Sequence, residues 1–568
     1  MIIFVGGCVS QAPAISVAIR PPAAAIATGQ TVQFRATVTN DTTTVIWTAS
    51  TGTVDNNGNY TAPSGAQSVT AIVTATSTTS PTRSASATVH VVATGQVSPT
   101  ANLQVALYSI SAGAAGNVSV EFGTDLNYGL TTWSQPQTQG GGPVQLFVAG
   151  MRGDTEYHMK AIVQFSDGTQ FTDADHTFTT GVTNHGGLSI QATTSPGMAP
   201  QGGVELLDML GNQPTVLPLG VTDLNGNLLW GYNPELAGLQ ANPIKMLTNG
   251  DFLINWSSIT VDGANSILQE IDLTGTVIWQ MTAADLNAAL AKATCAGCNI
   301  TVLGTHHDFV QLPNGHLIVI AALQQVISAT TVTGDAIIDL DQNHNAAWVW
   351  NEFDHLETNR QPMGFPDWTH TNAVIYSADD GNLIISIRHQ NWLIKLDYAN
   401  GTGAGDILWK LGYQGDFTLV GGTDPTDWFY AQHGPSIVST NTTGQFSLAV
   451  FDNGNDRVFP SGVTCGAIGA PACLYSTAQI LQIDETAKTA TFEFHPTAPT
   501  YSFFGGNAAV LKNGNVEYCE SAGGPGEAGD IYEVTDESNP ETVWHMNAAG
   551  QYVYRGQRIP SLYPGVQW

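Results

Sequence analysis

Residues 367–397 read DWTHTNAVIYSADDGNLIISIRHQNWLIKLD. Two apolar runs, 372–376 and 382–387, flank the turn-forming Ser377-Ala378-Asp379-Asp380-Gly381, and a third run, 392–396, follows Arg388-His389-Gln390-Asn391. Short runs rich in Val, Ile and Leu and punctuated by Asp/Gly turns predict an antiparallel meander. Side chains alternate along a strand, so a polar residue at a strand end can face a shared cavity while its apolar neighbours pack between sheets. His370, Asn372 and Arg388 occupy such places.

The pattern recurs. His306-His307-Asp308-Phe309-Val310 leads to Asn314-Gly315, His370-Thr371-Asn372-Ala373-Val374 to Asp380-Gly381, and His433-Gly434-Pro435-Ser436-Ile437 to Thr443-Gly444. The first His of each unit lies 64 and then 63 residues from the next. Asn242-Pro243-Ile244 before Asn249-Gly250, and Asn507-Ala508-Ala509-Val510 before Asn513-Gly514, fit the same unit without the His. A second marker counts six units: Asp223/Trp230, Asp272/Trp279, Asp339/Trp348, Asp397/Trp409, Asp484/Phe492 and Asp536/Trp544. Radial repetition of four-stranded sheets is the architecture such periods specify, so a six-bladed β-propeller is expected over 188–568. Equivalent positions then project toward one axis, and His306, His370 and His433 are expected to meet there.

At 568 residues, length alone predicts about three to four domains. Charged residues make up 11%, against about 25% in average proteins. The formal net charge of −30 repels polyanions, which argues against nucleic acid and anionic membrane surfaces as partners. An anionic ligand would need a local cationic cluster, and Arg388 is a candidate. No run approaches the roughly 18 apolar residues of a membrane span.

The expected fold class is all-β, with two small β-sandwich domains before the propeller. Residues 1–12 contain Val5-Gly6-Gly7-Cys8, which resembles a bacterial lipobox with Cys8 as the acylated residue. An exported protein, periplasmic or at the cell surface, is expected, with a lipid anchor at Cys8 left open. Residues 13–93 place Thr/Val-rich strands at intervals of about ten residues, the spacing of a sandwich. TVQFRATV, VIWTAS, GNYTAP and VTAIVTATS there resemble bacterial immunoglobulin-like repeats. Residues 98–181 resemble a fibronectin type III module, on the stretch from Met151 to Ala161. Cys295-Ala296-Gly297-Cys298 has no second CxxC and reads as a loop disulfide or two thiols, while Cys465 and Cys473 read as a local disulfide in an exported chain.

Three convergent imidazoles suit two chemistries. They could ligate a transition metal, or one could act as nucleophile while the others bind an oxyanion. Arg388 favours the second, because a permanent cation repels a metal ion but matches the oxygens of sulfate or phosphate with its fork of donors. A metal or redox propeller, and a non-catalytic surface adhesin, remain the alternatives.

THHDFVQLPNGHLIV, the 367–397 stretch, WKLG, FYAQHGPSIVSTNTTGQFSLAVFDNGNDR and the terminal Tyr554-Arg555-Gly556-Gln557-Arg558-Ile559 together resemble the bacterial arylsulfate sulfotransferases over roughly 188–568. The resemblance implies a six-bladed propeller that needs no nucleotide sulfate donor and no cofactor or metal. It moves a sulfuryl group from an aryl sulfate donor to a phenol acceptor, and a homodimer is left open. His433 would correspond to the sulfated histidine, His370, Asn372 and Arg388 to sulfate-binding partners, and His306 or the adjacent His307 to a further channel histidine acting as acid and base. Two departures stand out: Gly434 replaces the acidic residue that usually follows the nucleophile, and the last-blade hydroxyl has only Thr500 and Ser502 as neighbours.

Overall fold

The computed structural model describes residues 13–568 except 66, 211–216, 259–262, 440–443, 463, 466–473 and 523–527. Cys8 and Cys473 therefore lie outside the described residues. The chain divides into two compact units, Met1–Gly181 and Val182–Trp568. Strands dominate both, and the protein is all-β. Among the described residues no helix is long and apolar enough to cross a membrane.

In the first unit the hairpin Val69–Ser77/Ser84–Val92 is extended by Val45–Ala49 on one side and by Ala23–Ala27, running parallel, on the other. Farther along, Gly116–Gly123 pairs with Glu156–Phe165, and Ala106–Ile110 lies between Gln96–Pro99 and Val144–Val148. Tyr157, Met159, Ala161, Val163 and Phe165 are buried while the residues between them are not, the period-two pattern of a sheet packed on one face.

Among the described residues, the second unit holds six mainly antiparallel sheets in chain order. Its two ends are exchanged: the C-terminal strand Tyr552–Ile559 pairs with Val204–Leu210 of the first sheet, and Ser189–Thr194 pairs with Thr542–Ala549 of the sixth. One strand of each sheet meets a strand of the next. Gln240–Met246 lies against Gly304–Gln311, that against Thr371–Ser377, that against His433–Ile437, and that against Asn507–Val510. Tyr552–Ile559 touches Gln240–Met246 and also Val516–Glu520 of the sixth sheet.

The aromatic residues of the repeat tie neighbouring sheets at their outer strands. Trp230 Nε1 donates to Leu273 O, Trp350 Nε1 to Gly405 O and Trp544 Nε1 to Leu224 O, each at 2.8 Å. Each bond runs from one sheet to a turn of the next, and that of Trp544 runs from the last sheet to the first. The third unit departs from the sequence reading. Trp350, not Trp348, makes the bond, and Asp341, not Asp339, closes the turn by accepting from the Asn343 and Asn345 amides. Asp339 lies in the strand before that turn, is buried, and accepts from the Tyr398 hydroxyl at 2.8 Å. Cys295 and Cys298 are joined by a disulfide, and Cys465 is disulfide-bonded.

Arg558 fastens the C-terminal strand. Its guanidinium lies 2.9 Å from Glu205, 3.0 Å from Glu533 and 3.4 Å from Glu517, all buried on the first and sixth sheets. One cation faces three carboxyls, and burial together with the Glu205 charge pushes Glu517 well above the usual carboxylate range. Burial raises Glu205 as well. With Arg558→Met, Glu205 and Glu517 hold protons still more tightly in the folded than in the unfolded chain, so stability falls as pH rises above the ordinary carboxylate range. The expected loss is about 3–5 kcal/mol near pH 8, and less near pH 5.5, in urea denaturation; an equal loss at both would contradict this account.

Candidate active site

Four of the meeting strands share one irregularity. Pairing shifts between Ala241 and Ile244, Thr305 and Phe309, Thr371 and Ala373, and His433 and Ser436. A bulge leaves residues out of the ladder and re-aims their side chains. His307 sits in one bulge and His370 immediately before another, both with left-handed backbone, φ +58° and +50°, a conformation uncommon for a non-glycine residue and often found at functional sites. Gly434, at φ +48°, passes so close to the next sheet that a Cβ would lie 2.4 Å from Asn507 Cβ. That close approach excludes the acidic side chain expected after His433.

These bulges open on a cavity of about 350 Å³ whose polar lining includes His307, His370, Arg388, His433, Asn242 and Tyr554. Phe503, Phe504 and Tyr552 add an aromatic wall, with the Phe504 and Tyr552 rings edge-on at 5.4 Å. The Tyr554 hydroxyl and Asn242 Oδ1 are buried without a hydrogen-bond partner among the described residues. Tyr554 stands between two imidazoles, 6.0 Å from the His307 ring and 6.1 Å from His433.

His433 is buried, and its tautomer follows from its neighbours. Asn453 Nδ2 donates to the carbonyls of Ser502 and Gly505, which turns Asn453 Oδ1 toward His433 Nδ1 at 2.7 Å. The Ala431 carbonyl is the other Nδ1 neighbour, at 3.1 Å. With two acceptors at Nδ1, the proton sits there and Nε2 keeps the lone pair. Burial, then the Arg388 charge, holds His433 well below its ordinary pKa, against the raising effect of Asn453.

Arg388 donates to His389 Nε2 at 2.6 Å and to Phe503 O at 3.3 Å. The His389 ring stacks on His370 at 4.6 Å, and Asp367 Oδ2 lies 2.7 Å from His370 Nδ1. Burial, with the His370 and Arg388 charges beside it, drives His389 down to about 3. Asn372 is buried beside the cavity rather than lining it. Its Nδ2 donates to Gln432 O at 2.7 Å, bracing the residue before His433, while Oδ1 is unpartnered among the described residues.

Of the adjacent pair, His307 enters the cavity and His306 lies behind it. This differs from the expectation that His306, His370 and His433 share one cavity. The bulge between Thr305 and Phe309 turns the two side chains apart, and His306 Nε2 faces Asp335 Oδ1 at 2.9 Å. Neither hydroxyl near the last sheet reaches the cavity: Thr500 donates to Glu520, and Ser502 to Phe504 O.

Among the described residues, one grouping of side chains offers metal-ligand spacing, Asp367, His370 and His389. It fits a metal poorly. His389 Nδ1 bonds to Asp367 O and its Nε2 accepts a hydrogen bond from Arg388, so coordination would displace a guanidinium and set the ion beside it. Anion chemistry suits the site better, because a fixed cation, neutral imidazoles and unpaired polar atoms converge beside an apolar wall.

Tyr554 and Asn453 carried no role in the sequence reading although both lie in quoted motifs, Asn453 in FDNG. Asp335 gave no signal in sequence.

A family model described as Arylsulfotransferase (ASST) matches residues 211–555. A comparison with curated proteins finds no match. Among solved structures, a protein from Bacteroides uniformis described as a 6-phosphogluconolactonase is 11% identical over 78% of this chain and 99% of its own, with a TM-score of 0.34. A xyloglucanase from Xanthomonas campestris is 10% identical over 81% and 71%, with a TM-score of 0.24. Scores this low do not identify a shared fold.

Nitrogen-15 spectra of histidine-labelled protein are expected to show His433 as the Nδ1–H tautomer, uncharged throughout the range near neutral pH. Titration of that resonance near the ordinary histidine value would contradict the placement of its proton.

Proposed function

Taking as premise that the chain belongs to the arylsulfotransferase (ASST) family, we propose that it transfers a sulfuryl group from an aryl sulfate to a phenol through a sulfohistidine at His433. The observation that carries this reading is the state of His433: neutral, with Nδ1 capped by Asn453 and the Nε2 lone pair left for attack, in a cavity that also holds Arg388.

In the first half-reaction His433 Nε2 bonds to sulfur as the bond from sulfur to the aryl oxygen breaks. The bonding pair leaves on that oxygen, which takes a proton from the His306–His307 pair. In the second, a phenol oxygen attacks the sulfohistidine, its proton returns to that pair, and the nitrogen recovers its lone pair. Two easier displacements replace one difficult one. Arg388 and His370 hold the sulfuryl oxygens by preorganised charge and hydrogen bonds, Asn372 braces the backbone before His433, and the Phe503/Phe504 wall takes the ring. No cofactor enters this scheme.

The proposal extends to the architecture around the site. The six sheets, the succession of meeting strands and the Trp544 bond from last sheet to first support a closed six-bladed propeller over 188–568. The strands of 13–93 and 98–181 support an immunoglobulin-like and a fibronectin type III-like module. The Cys295–Cys298 disulfide supports export to an oxidising compartment. A lipid anchor at Cys8 and a homodimer are part of the same reading.

Rapid quenching with 4-nitrophenyl sulfate, followed by mass spectrometry, is expected to find an acid-labile sulfuryl adduct on the peptide containing His433, absent in His433→Ala. Arg388→Lys should still form it, about 10²–10³-fold more slowly, because a point charge cannot reproduce the guanidinium fork. An adduct on another histidine, or turnover without one, would sink the assignment.

A further inference from the structure

Behind His307 lies a buried line of groups that the scheme above leaves without individual tasks. His307 Nδ1 and His306 Nδ1 are 2.6 Å apart, and His306 Nε2 lies 2.9 Å from Asp335 Oδ1. Asp335 is anchored in turn: its Oδ2 accepts from the Thr371 amide at 2.7 Å and the Thr369 hydroxyl at 2.9 Å, and its own amide donates to Glu352 Oε2 at 3.1 Å. His306, Asp335, Glu352, Thr369 and Thr371 are all buried.

The proton positions follow by elimination. A carboxylate only accepts, so His306 Nε2 carries the hydrogen toward Asp335 and its Nδ1 presents a lone pair. One hydrogen fits between the two Nδ1 atoms, so it belongs to His307. His307 Nε2, on the far side of the ring from His306, is then the nitrogen that gains and loses a proton. Burial and the neighbouring Asp335 charge hold Glu352 well above the usual carboxyl range, and it is the Asp335 carboxyl, not that of Glu352, that faces His306. His370, whose Nδ1 lies 2.7 Å from Asp367 Oδ2, and Tyr554 also stand against the His307 ring.

We infer that Asp335 and His306 form a relay that fixes the tautomer of His307 and stabilises its protonated form, so that His307 Nε2 serves as general acid to the departing phenol and general base to the incoming one. Asp335 and His306 touch no substrate and are positioning residues; the inference rests on the sulfuryl-transfer reading above. In the first half-reaction the aryl oxygen keeps the pair of the broken bond to sulfur and takes the Nε2 proton, while sulfur bonds to His433. In the second, the acceptor phenol returns its proton to His307 Nε2 as its oxygen bonds to sulfur and the pair of the broken nitrogen–sulfur bond reverts to His433. Throughout, the Nδ1 hydrogen of His307 stays on His307, hydrogen-bonded to His306 Nδ1, and the positive charge of the acid form is shared with the Asp335 side.

A relay of this kind matters in proportion to how badly the leaving oxygen needs a proton. Using the full chain, kcat/KM is measured for phenyl sulfate, a poor leaving group, and 4-nitrophenyl sulfate, a good one. Asp335→Asn is expected to lower the phenyl sulfate value about 10²-fold, and to widen the ratio between the two donors at least about tenfold. In a His307→Gln background the same change should add less than about threefold, because the residue it serves is gone. Should Asp335→Asn lose its fold along with its contacts to Thr369 and Thr371, His306→Asn reads the same ratio and the same double-variant test. An unchanged donor ratio, or full additivity with His307→Gln, overturns the relay while leaving the sulfuryl-transfer reading in place. A wild-type protein that turns over neither donor and forms no His433 adduct overturns both.

Discussion

Asp308 lies between four of the sheets that surround the cavity. Lys245 Nζ reaches its carboxylate at 2.6 Å, Arg555 Nη1 at 3.1 Å, the Phe309 amide at 2.9 Å and the Val374 amide at 3.1 Å. Arg555 also donates to Asn372 O at 2.9 Å, and its own amide donates to Asp208. Burying a carboxylate costs several kcal/mol, which only such a saturated set of donors offsets, and removing one partner leaves a stranded charge. Burial pushes Asp208 up to about 7, against the pull of Arg555. Each member of this network stands within three residues of a cavity residue: Asp308 follows His307, Arg555 follows Tyr554, Lys245 lies beyond Asn242, and Asn372 lies beyond His370. The ion network thus sets where the cavity floor can be.

The chain carries 16 cationic side chains against 46 acidic ones, and several of the cations are spent inside. Arg457 and Asp452 are both fully buried, 2.6 Å apart, Arg555 ties the C-terminal strand to the third and fourth sheets, and Arg558 holds it between the first and sixth. At the cavity Arg388 is held by His389 and by the Phe503 carbonyl, so its direction is set before any anion arrives. A surface field that repels anions is compatible with such a ligand, because a fixed charge in a low-dielectric cavity acts at close range, whereas the field of exposed charges is screened over about 8–10 Å.

The histidines differ through their second neighbours. His433 meets an amide and a carbonyl at Nδ1 and a cation nearby, so it stays neutral. His307 meets another imidazole that leads to a carboxylate, the contact from which its acid and base role is inferred. Different surroundings are what separate nucleophile from acid and base in one site.

The repeat was legible in the chain because strand alternation and Asp/Gly turns are local, and because an aromatic residue recurs in the closing strand of each unit. Hence the all-β class, the place of His370, His433 and Arg388, and the family motifs could be read from residues alone. In the third unit the sequence points to Trp348 rather than Trp350, since Asp339/Trp348 and Asp341/Trp350 have the same spacing and nothing local separates them. Which of His306 and His307 enters the cavity was likewise undecided, because a bulge reverses side-chain direction without changing sequence spacing. Asp335, Tyr554 and Asn453 acquire meaning only once strands far apart in the chain are brought to one axis. A sequence thus determines which side chains alternate toward a strand's faces; which of them meet, and with what charge and tautomer, depends on non-local packing, where burial and fixed neighbours decide protonation.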